Sequence, residues 1–221
     1  MESIENPGSP GQPAAGRSGA GDIRPRLLLH CCCAPCASYV LECLLPSYDI
    51  TAFFNNPNIM PCEEYYKREE QMRRLLAAEP FAGLVSMEGQ PYDHEAFAAI
   101  AAPYIDEPEG GLRCAACFAL RLGETARRAA GGGYDCFATT LSVSPHKNAG
   151  VINETGEKMS SLYSVSYLSA DFKKKNGYKR SIELSKQYGL YRQSYCGCIQ
   201  QTPAAGNPQG DYPVNSVTAD A

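Results

Sequence analysis

The residues best equipped for chemistry are the cysteines, eleven in a chain of 221 residues. Most fall in three short segments: His30-Cys31-Cys32-Cys33-Ala34-Pro35-Cys36, Arg113-Cys114-Ala115-Ala116-Cys117 and Tyr195-Cys196-Gly197-Cys198. In a reducing compartment such density points to metal ligation or redox catalysis, and an odd total fits a disulfide framework poorly. Adjacent side chains diverge from an extended strand, so two of three consecutive cysteines can reach one large ligand only from a turn. A multi-iron centre offers several metal corners and tolerates neighbouring ligands better than one tetrahedral zinc ion. A helix N-terminus favours thiolate over thiol, which suits either a metal or a redox role.

Cys114 and Cys117 alone fit zinc, iron–sulfur or dithiol chemistry alike. Joined with the first segment they become more specific, because four thiolates from two distant segments satisfy a four-iron, four-sulfur cluster. A structural zinc held by Cys33, Cys36, Cys114 and Cys117 is the competing assignment, but it leaves Cys31 and Cys32 without work. The Cys196–Cys198 pair closes a small, strained ring if oxidised, the mark of a labile redox pair. Two free surface thiols or a further ligand pair is the plainer alternative. Leu27 to Cys36 also mimics the strand–CxxC–helix of thioredoxin-like enzymes, with Cys33-Ala34-Pro35-Cys36 in the reactive place. Cys43, Cys62 and Cys136 read as small hydrophobes in a core.

These segments need elements to hold them. Arg26 to His30 reads as a buried strand, and Ser38 to Leu45 as an apolar helix. Asp49 to Phe54 is a second strand ending in Asn55-Asn56-Pro57-Asn58, and Glu63 to Ala78 a charged amphipathic helix. Leu84 to Met87 is a third strand. His94 to Ala101 and Leu112 to Ala130 are helices, and Tyr134 to Thr139 a fourth strand. Strand and helix alternate, which predicts a parallel α/β fold. Sites in open α/β sheets form outside the carboxyl ends of strands. Segments 30–36, 55–58 and 139–148 all fall there, which predicts one composite site. Residues 1–24 and 202–221 have the composition of disordered extensions, leaving a folded unit over 25–201.

Hydrophobic residues make up 44% and charged residues 20% of the chain, ordinary values for a soluble globular protein. No apolar run is long enough for a membrane span, and the first residues lack the apolar stretch of a secretory signal, so a cytoplasmic protein is expected. The net charge of −4 gives no global argument for nucleic acid. Locally, Lys173, Lys174, Lys175, Lys179 and Arg180 lie among Phe172 and Tyr178, a pattern that can neutralise phosphates and stack on bases; a solvated charged face is the alternative. Only the local field matters beyond a Debye length of about 8 Å. His146, in a polar loop after the fourth strand, is a candidate acid. His30 is placed to hydrogen-bond a cluster sulfur or to cap its strand, and His94 reads as an ordinary helix residue. No glycine-rich dinucleotide or P-loop motif occurs.

The runs LLLHCCCAPCASYVLE, FFNNPNIMPCEEYYKR, RCAACFALRL, TTLSVSPHKN and DFKKKNGYKRSIELSKQYGLYRQSYCGC occur in that order. Together they resemble the cobalamin-independent, QueH-type epoxyqueuosine reductases over roughly Leu27 to Gln201. The resemblance implies a fold similar to the adenine-nucleotide α-hydrolase-like (Rossmann-like) α/β sandwiches, with a helical C-terminal part. It implies two-electron reduction of epoxyqueuosine to queuosine at the tRNA wobble position, with electrons from an unidentified donor. It also implies a 4Fe-4S cluster on Cys32, Cys33, Cys114 and Cys117, a redox-active disulfide between Cys196 and Cys198, and a second, mononuclear metal ion to which Cys36 could contribute. Cys31 departs from the usual pattern and leaves a shifted pair, Cys31 and Cys32, open. A thiol–disulfide oxidoreductase and a zinc-stabilised tRNA-binding module remain the competing classes.

Overall fold

A computed structural model describes residues 24–198. The two extensions expected to be disordered fall, Arg24 apart, outside the described residues, as do positions 199–201. Five parallel strands, β1 (Arg26–His30), β2 (Asp49–Phe54), β3 (Val85–Gly89), β4 (Cys136–Thr139) and β5 (Ser166–Tyr167), form one sheet in the order β3-β2-β1-β4-β5. Six helices accompany them: α1 (Ala34–Leu44), α2 (Cys62–Leu76), α3 (His94–Ala101), α4 (Leu112–Gly131), α5 (Ala149–Tyr163) and α6 (Gly177–Gln187). The expected parallel α/β class is what the chain adopts. No helix among the described residues is long and apolar enough to cross a membrane.

The central strand explains the layering. Leu27, Leu28 and Leu29 are all fully buried, the unbroken apolar run of a parallel strand covered on both faces. Because side chains alternate, Leu27 and Leu29 join a core with Val40 and Leu41 of α1 and Met72 and Leu75 of α2. Leu28 faces the other way, with Phe53, Phe137 and Ala126 and Ala129 of α4. Helix α6 lies against α1 through Gly177, where an added Cβ would fall 1.9 Å from the Phe172 carbonyl oxygen and 2.4 Å from the Tyr39 ring.

After β3 the chain crosses back over the sheet to lay β4 on the other side of β1. The carboxyl ends of β1 and β4 therefore bracket the topological switch point, where crevices open in such sheets. Helix α1 starts four residues before the expected Ser38, because Pro35 sits in its first turn, where a missing N–H costs nothing. Cys33 is its extended N-cap and makes no side-chain cap bond, so Cys36 rides on the first turn of a helix whose N–H groups face the crevice. On the β4 side, Asn148 Oδ1 accepts from the Gly150 and Val151 amides at 2.9 and 3.3 Å to start α5, which fixes the loop carrying His146.

Leu29→Ala removes a fully buried side chain at the centre of the sheet. It is expected to lower unfolding stability by about 2–5 kcal/mol in chemical denaturation, against less than about 1 kcal/mol for an exposed control such as Leu162→Ala.

Candidate thiol centre

At the end of β1 the three consecutive cysteines part company. Cys31 points into the core, fully buried, with Sγ 3.4 Å from the Leu29 carbonyl. Burial pushes its thiol well up, and it lines neither cleft described below. Cys32 turns to the crevice: its amide donates to Thr140 Oγ1 at 3.1 Å, and that hydroxyl donates to Cys32 Sγ at 3.3 Å. Cys33 Sγ lies 3.8 Å from Cys32 Sγ. The sulfurs of Cys32, Cys33 and Cys36 all fall within 4.8 Å of one another, a spacing that can hold a metal ion. Hydrogen bonds from Cys32 and Cys36 hold the Cys33 thiol well below its usual range, against the opposing effect of burial. Cys36, as the proton-keeping partner of Cys32 and Cys33, is pushed up.

The second pair enters from α4. Cys114 Sγ accepts from the Gly110 amide at 3.2 Å, while burial pushes the Cys117 thiol up to about 11. Cys114 and Cys32 pack against the same apolar group, Phe118, Leu122, Leu141 and Ile152. The third pair closes the arrangement, with Cys198 packed beside Cys117 against Phe97 and Ala101. Two adjoining clefts result. Cys32, Cys33 and Cys36 line one, Cys114, Cys117 and Cys198 the other, and Cys196, Arg121, His146, Lys147 and Glu109 border both. The three segments that the sequence set aside meet in one place. Cys114 and Cys117 do not fall within the tight trio, and among the described residues no four-thiol group has the compact spacing of a single zinc ion.

The walls are cationic. Arg121 and Arg113 are 2% and 3% exposed and Lys147 is half-buried, yet among the described residues none lies within ion-pair distance of a carboxylate. A charge out of water needs a partner: Arg113 donates to the Ile105 carbonyl at 2.8 Å, and sulfurs face Arg121 and Lys147. Arg121 Nη1 reaches Cys117 Sγ at 3.9 Å. Burial alone would weaken the Lys147 ammonium, but the facing sulfurs, Cys196 first and then Cys32 and Cys36, outweigh it and hold the proton on. Cys196 is held well below the usual thiol range, first by the hydrogen bond from Cys198 and then, against burial, by Lys147, Arg121 and Arg68. Cys198 is correspondingly pushed up.

Beneath the thiols lies a polar network absent from the sequence reading. Arg121 donates through Nε to His30 Nε2 at 3.3 Å and through Nη2 to Asn56 Oδ1, and Asn56 Nδ2 donates to the Cys31 carbonyl at 3.0 Å. His30 Nε2 also lies 3.1 Å from the Asn55 carbonyl, and its Nδ1 lies 2.8 Å from Thr139 Oγ1. Burial first, then Arg121, lowers the His30 pKa to about 3, keeping the ring neutral. His30 was expected to bond a sulfur or cap its strand. Both ring nitrogens are engaged elsewhere, and it orients the arginine that faces the sulfur.

Other assignments change as well. Phe172 packs on the core and is not free to stack. Lys173 pairs with Asp171 at 2.9 Å, and Arg180 with Glu42 at 3.0 Å and Glu183 at 3.3 Å. Lys174, Lys175 and Lys179 are exposed. Tyr178 lines the first cleft. Cys43 is exposed rather than packed, while Cys62 and Cys136 are half-buried. His94 opens α3, its Nδ1 2.8 Å from the Pro57 carbonyl. The sequence does carry one signal for Arg121. Arg113, Cys114, Cys117 and Arg121 follow helical spacing, so α4 presents thiols and guanidinium groups on one face.

Fold and site together define a parallel α/β protein with a cation-walled thiol centre at the switch point of its sheet. A family model described as "Epoxyqueuosine reductase QueH" matches residues 27–202. Proteins named epoxyqueuosine reductase QueH are similar to the chain: one from Staphylococcus epidermidis at 45% identity over 181 residues, covering 80% of this chain and 76% of that one; one from Staphylococcus aureus at 44% over 182 residues, covering 80% and 75%; and one from Thermotoga maritima at 36% over 174 residues, covering 78% and 88%. The chain belongs to the epoxyqueuosine reductase QueH family.

Arg121→Met removes the Arg121 donor to the buried Asn56 Oδ1 and the contact with His30 Nε2. At about 1–3 kcal/mol for each unsatisfied group, the variant is expected to unfold at clearly lower denaturant than the parent, by far-UV circular dichroism. An unchanged midpoint would show that the network is not maintained by Arg121.

Proposed function

We propose that the chain is an iron–sulfur epoxyqueuosine reductase, an oxidoreductase acting on tRNA. The observation that carries this reading is the convergence of Cys32, Cys33, Cys36, Cys114, Cys117, Cys196 and Cys198 on adjoining clefts walled by Arg113, Arg121 and Lys147. The donor set fits a cluster. Cations without carboxylate partners suit a centre that carries net negative charge with its thiolates, whereas a neutral, apolar-walled crevice would not. Cys32, Cys33, Cys114 and Cys117 would hold a 4Fe-4S cluster, and Cys36, bonded to Cys32 and Cys33, is placed to offer a ligand to a second, mononuclear iron. The burial of Cys31 in the core favours the pair Cys32 and Cys33 over Cys31 and Cys32. When bound, the cluster supplies one-electron transfer, and an iron centre supplies Lewis acidity toward oxygen.

The protein's own groups complete the balance. The Cys196–Cys198 dithiol becomes a disulfide and gives up two electrons and two protons. The two carbon–oxygen bonds of the epoxide break, a carbon–carbon double bond forms, and the oxygen leaves as water. His146, bordering both clefts, passes a proton to that oxygen. A reductant from solution then returns the disulfide to the dithiol. Lys174, Lys175 and Lys179 offer phosphate contacts beside the clefts. The cytoplasm, where tRNA is modified, is the matching compartment.

One observation favours a second reading. Cys33 at the α1 N-cap, held toward thiolate beside a protonated Cys36, is the charge pattern of a thioredoxin-like dithiol. Anaerobically purified protein separates the two: a brown protein that converts epoxyqueuosine-containing tRNA supports the reductase, and a colourless one that exchanges disulfides supports the alternative. Zinc alone with no redox activity would instead indicate a tRNA-binding module.

A Cys196→Ser/Cys198→Ser variant is expected to bind tRNA normally but lose multiple turnover by at least about 100-fold, since each cycle needs the dithiol. Undiminished multiple turnover would remove the pair from the scheme.

A further inference from the structure

The segment that carries Cys196 and Cys198 has no helix or strand of its own, yet its backbone carbonyls are taken in sequence. Arg68 Nη1 donates to the Cys196 carbonyl at 2.9 Å and Nη2 to the Tyr195 carbonyl at 3.4 Å. The Gly197 carbonyl accepts from the Met60 amide at 2.8 Å. Arg68 is itself fixed: it is 3% exposed, Nε donates to Glu64 Oε1 at 2.7 Å, and the Tyr195 ring lies 5.1 Å from its guanidinium carbon. The same face of α2 grips the segment a second time, several residues upstream. Tyr191 OH donates to Glu64 Oε1 at 3.2 Å, and the Tyr191 amide donates to Gln71 Oε1 at 2.9 Å. Glu64, Arg68 and Gln71 stand at helical spacing on one stripe. None of them belongs to a cysteine segment, and Glu63 to Ala78 read from sequence only as a charged amphipathic helix.

Gly197 explains why the contact is so close. Its φ of +100° reverses the chain between the two cysteines, and a Cβ there would lie 3.3 Å from Arg68 Nη2 and 3.4 Å from Ile59 Cα. The reversal sends Cys196 to the border of both clefts and Cys198 to the apolar pocket of Phe97 and Ala101.

We propose that Arg68 is the positioning residue of the redox pair: its guanidinium, seated on Glu64, clamps the carbonyls of Tyr195 and Cys196 and so fixes Cys196 at the border of both clefts, with Cys198 confined to the second. This rests on the reading of Cys196–Cys198 as the working dithiol, but the clamp can be tested without turnover. A lysine is a point charge and cannot reproduce a planar fork that spans one carboxylate and two carbonyls. Arg68→Lys therefore keeps the charge and loses the geometry.

The test uses the full chain, purified anaerobically with its metal and reduced. Amide hydrogen exchange is followed over 191–198, and iodoacetamide labelling of Cys196 against Cys198 is mapped by mass spectrometry. In Arg68→Lys, exchange in that segment should rise at least about 10-fold with the sheet still protected, and the parent's labelling preference for Cys196 should collapse toward parity. The turnover rate constant should fall by about 10- to 100-fold, with KM for tRNA unchanged and iron retained. Parent-like exchange and labelling in Arg68→Lys overturn the proposal. If that variant fails to fold, Arg68→Gln, whose single amide cannot span one carboxylate and two carbonyls, carries the test: the same two changes support the clamp and parent-like values overturn it. Should the parent itself fail to reduce epoxyqueuosine-containing tRNA, the functional reading falls, while exchange and labelling still decide the clamp.

Discussion

Positive charge without acidic partners, held against sulfur, is the constraint around which this molecule is arranged. Arg113 and Arg121 are almost wholly buried and Lys147 half-buried. A lone buried charge of that kind is costly enough that proteins normally neutralise or pair it. Cys33 and Cys196 are the thiols held toward the charged form. The hydrogen bond from Cys198 comes first in lowering Cys196, and Lys147, Arg121 and Arg68 add to it against burial. Neither half is comfortable alone.

The sheet makes that confrontation possible. Switching strand order at β1 opens a crevice between the ends of β1 and β4, and the chain puts a turn of cysteines on one lip and the His146–Lys147 loop on the other. Helix α4 runs along the crevice with Cys114, Cys117 and Arg121 on a single face. Helix α2, on the opposite side of the sheet, reaches round to hold the C-terminal segment. The buried His30–Arg121–Asn56 network ties the strand ends to α4, so core hydrogen bonds link the first and second cysteine segments.

Much of this was readable in the chain. An unbroken Leu27-Leu28-Leu29 run, flanked by turn residues, announced a central parallel strand, and strand–helix alternation gave the class. The cysteine segments declared themselves by spacing. Other features were hidden for identifiable reasons. Strand β5 is two residues long, too short for any period to register. Helix α1 began early because Pro35, a breaker elsewhere, is welcome in a first turn. Arg68 and Arg121 looked like ordinary helix charges, since burial of an arginine depends on what packs over it and not on its neighbours in sequence. The ion pairs of the basic run 173–180 were hidden for the same reason. Lys173 and Arg180 find Asp171, Glu42 and Glu183, pairings that only the fold brings about.

The most direct measurement is the iron and acid-labile sulfide content of the full chain purified without oxygen. Convergence of the thiolates near positions 32 and 115 on one inorganic core predicts at least about four irons and about four sulfides per chain, with loss of the sulfide when Cys114 and Cys117 are both replaced by serine. A colourless chain with zinc or no metal at all, or a cluster indifferent to Cys114 and Cys117, would contradict it.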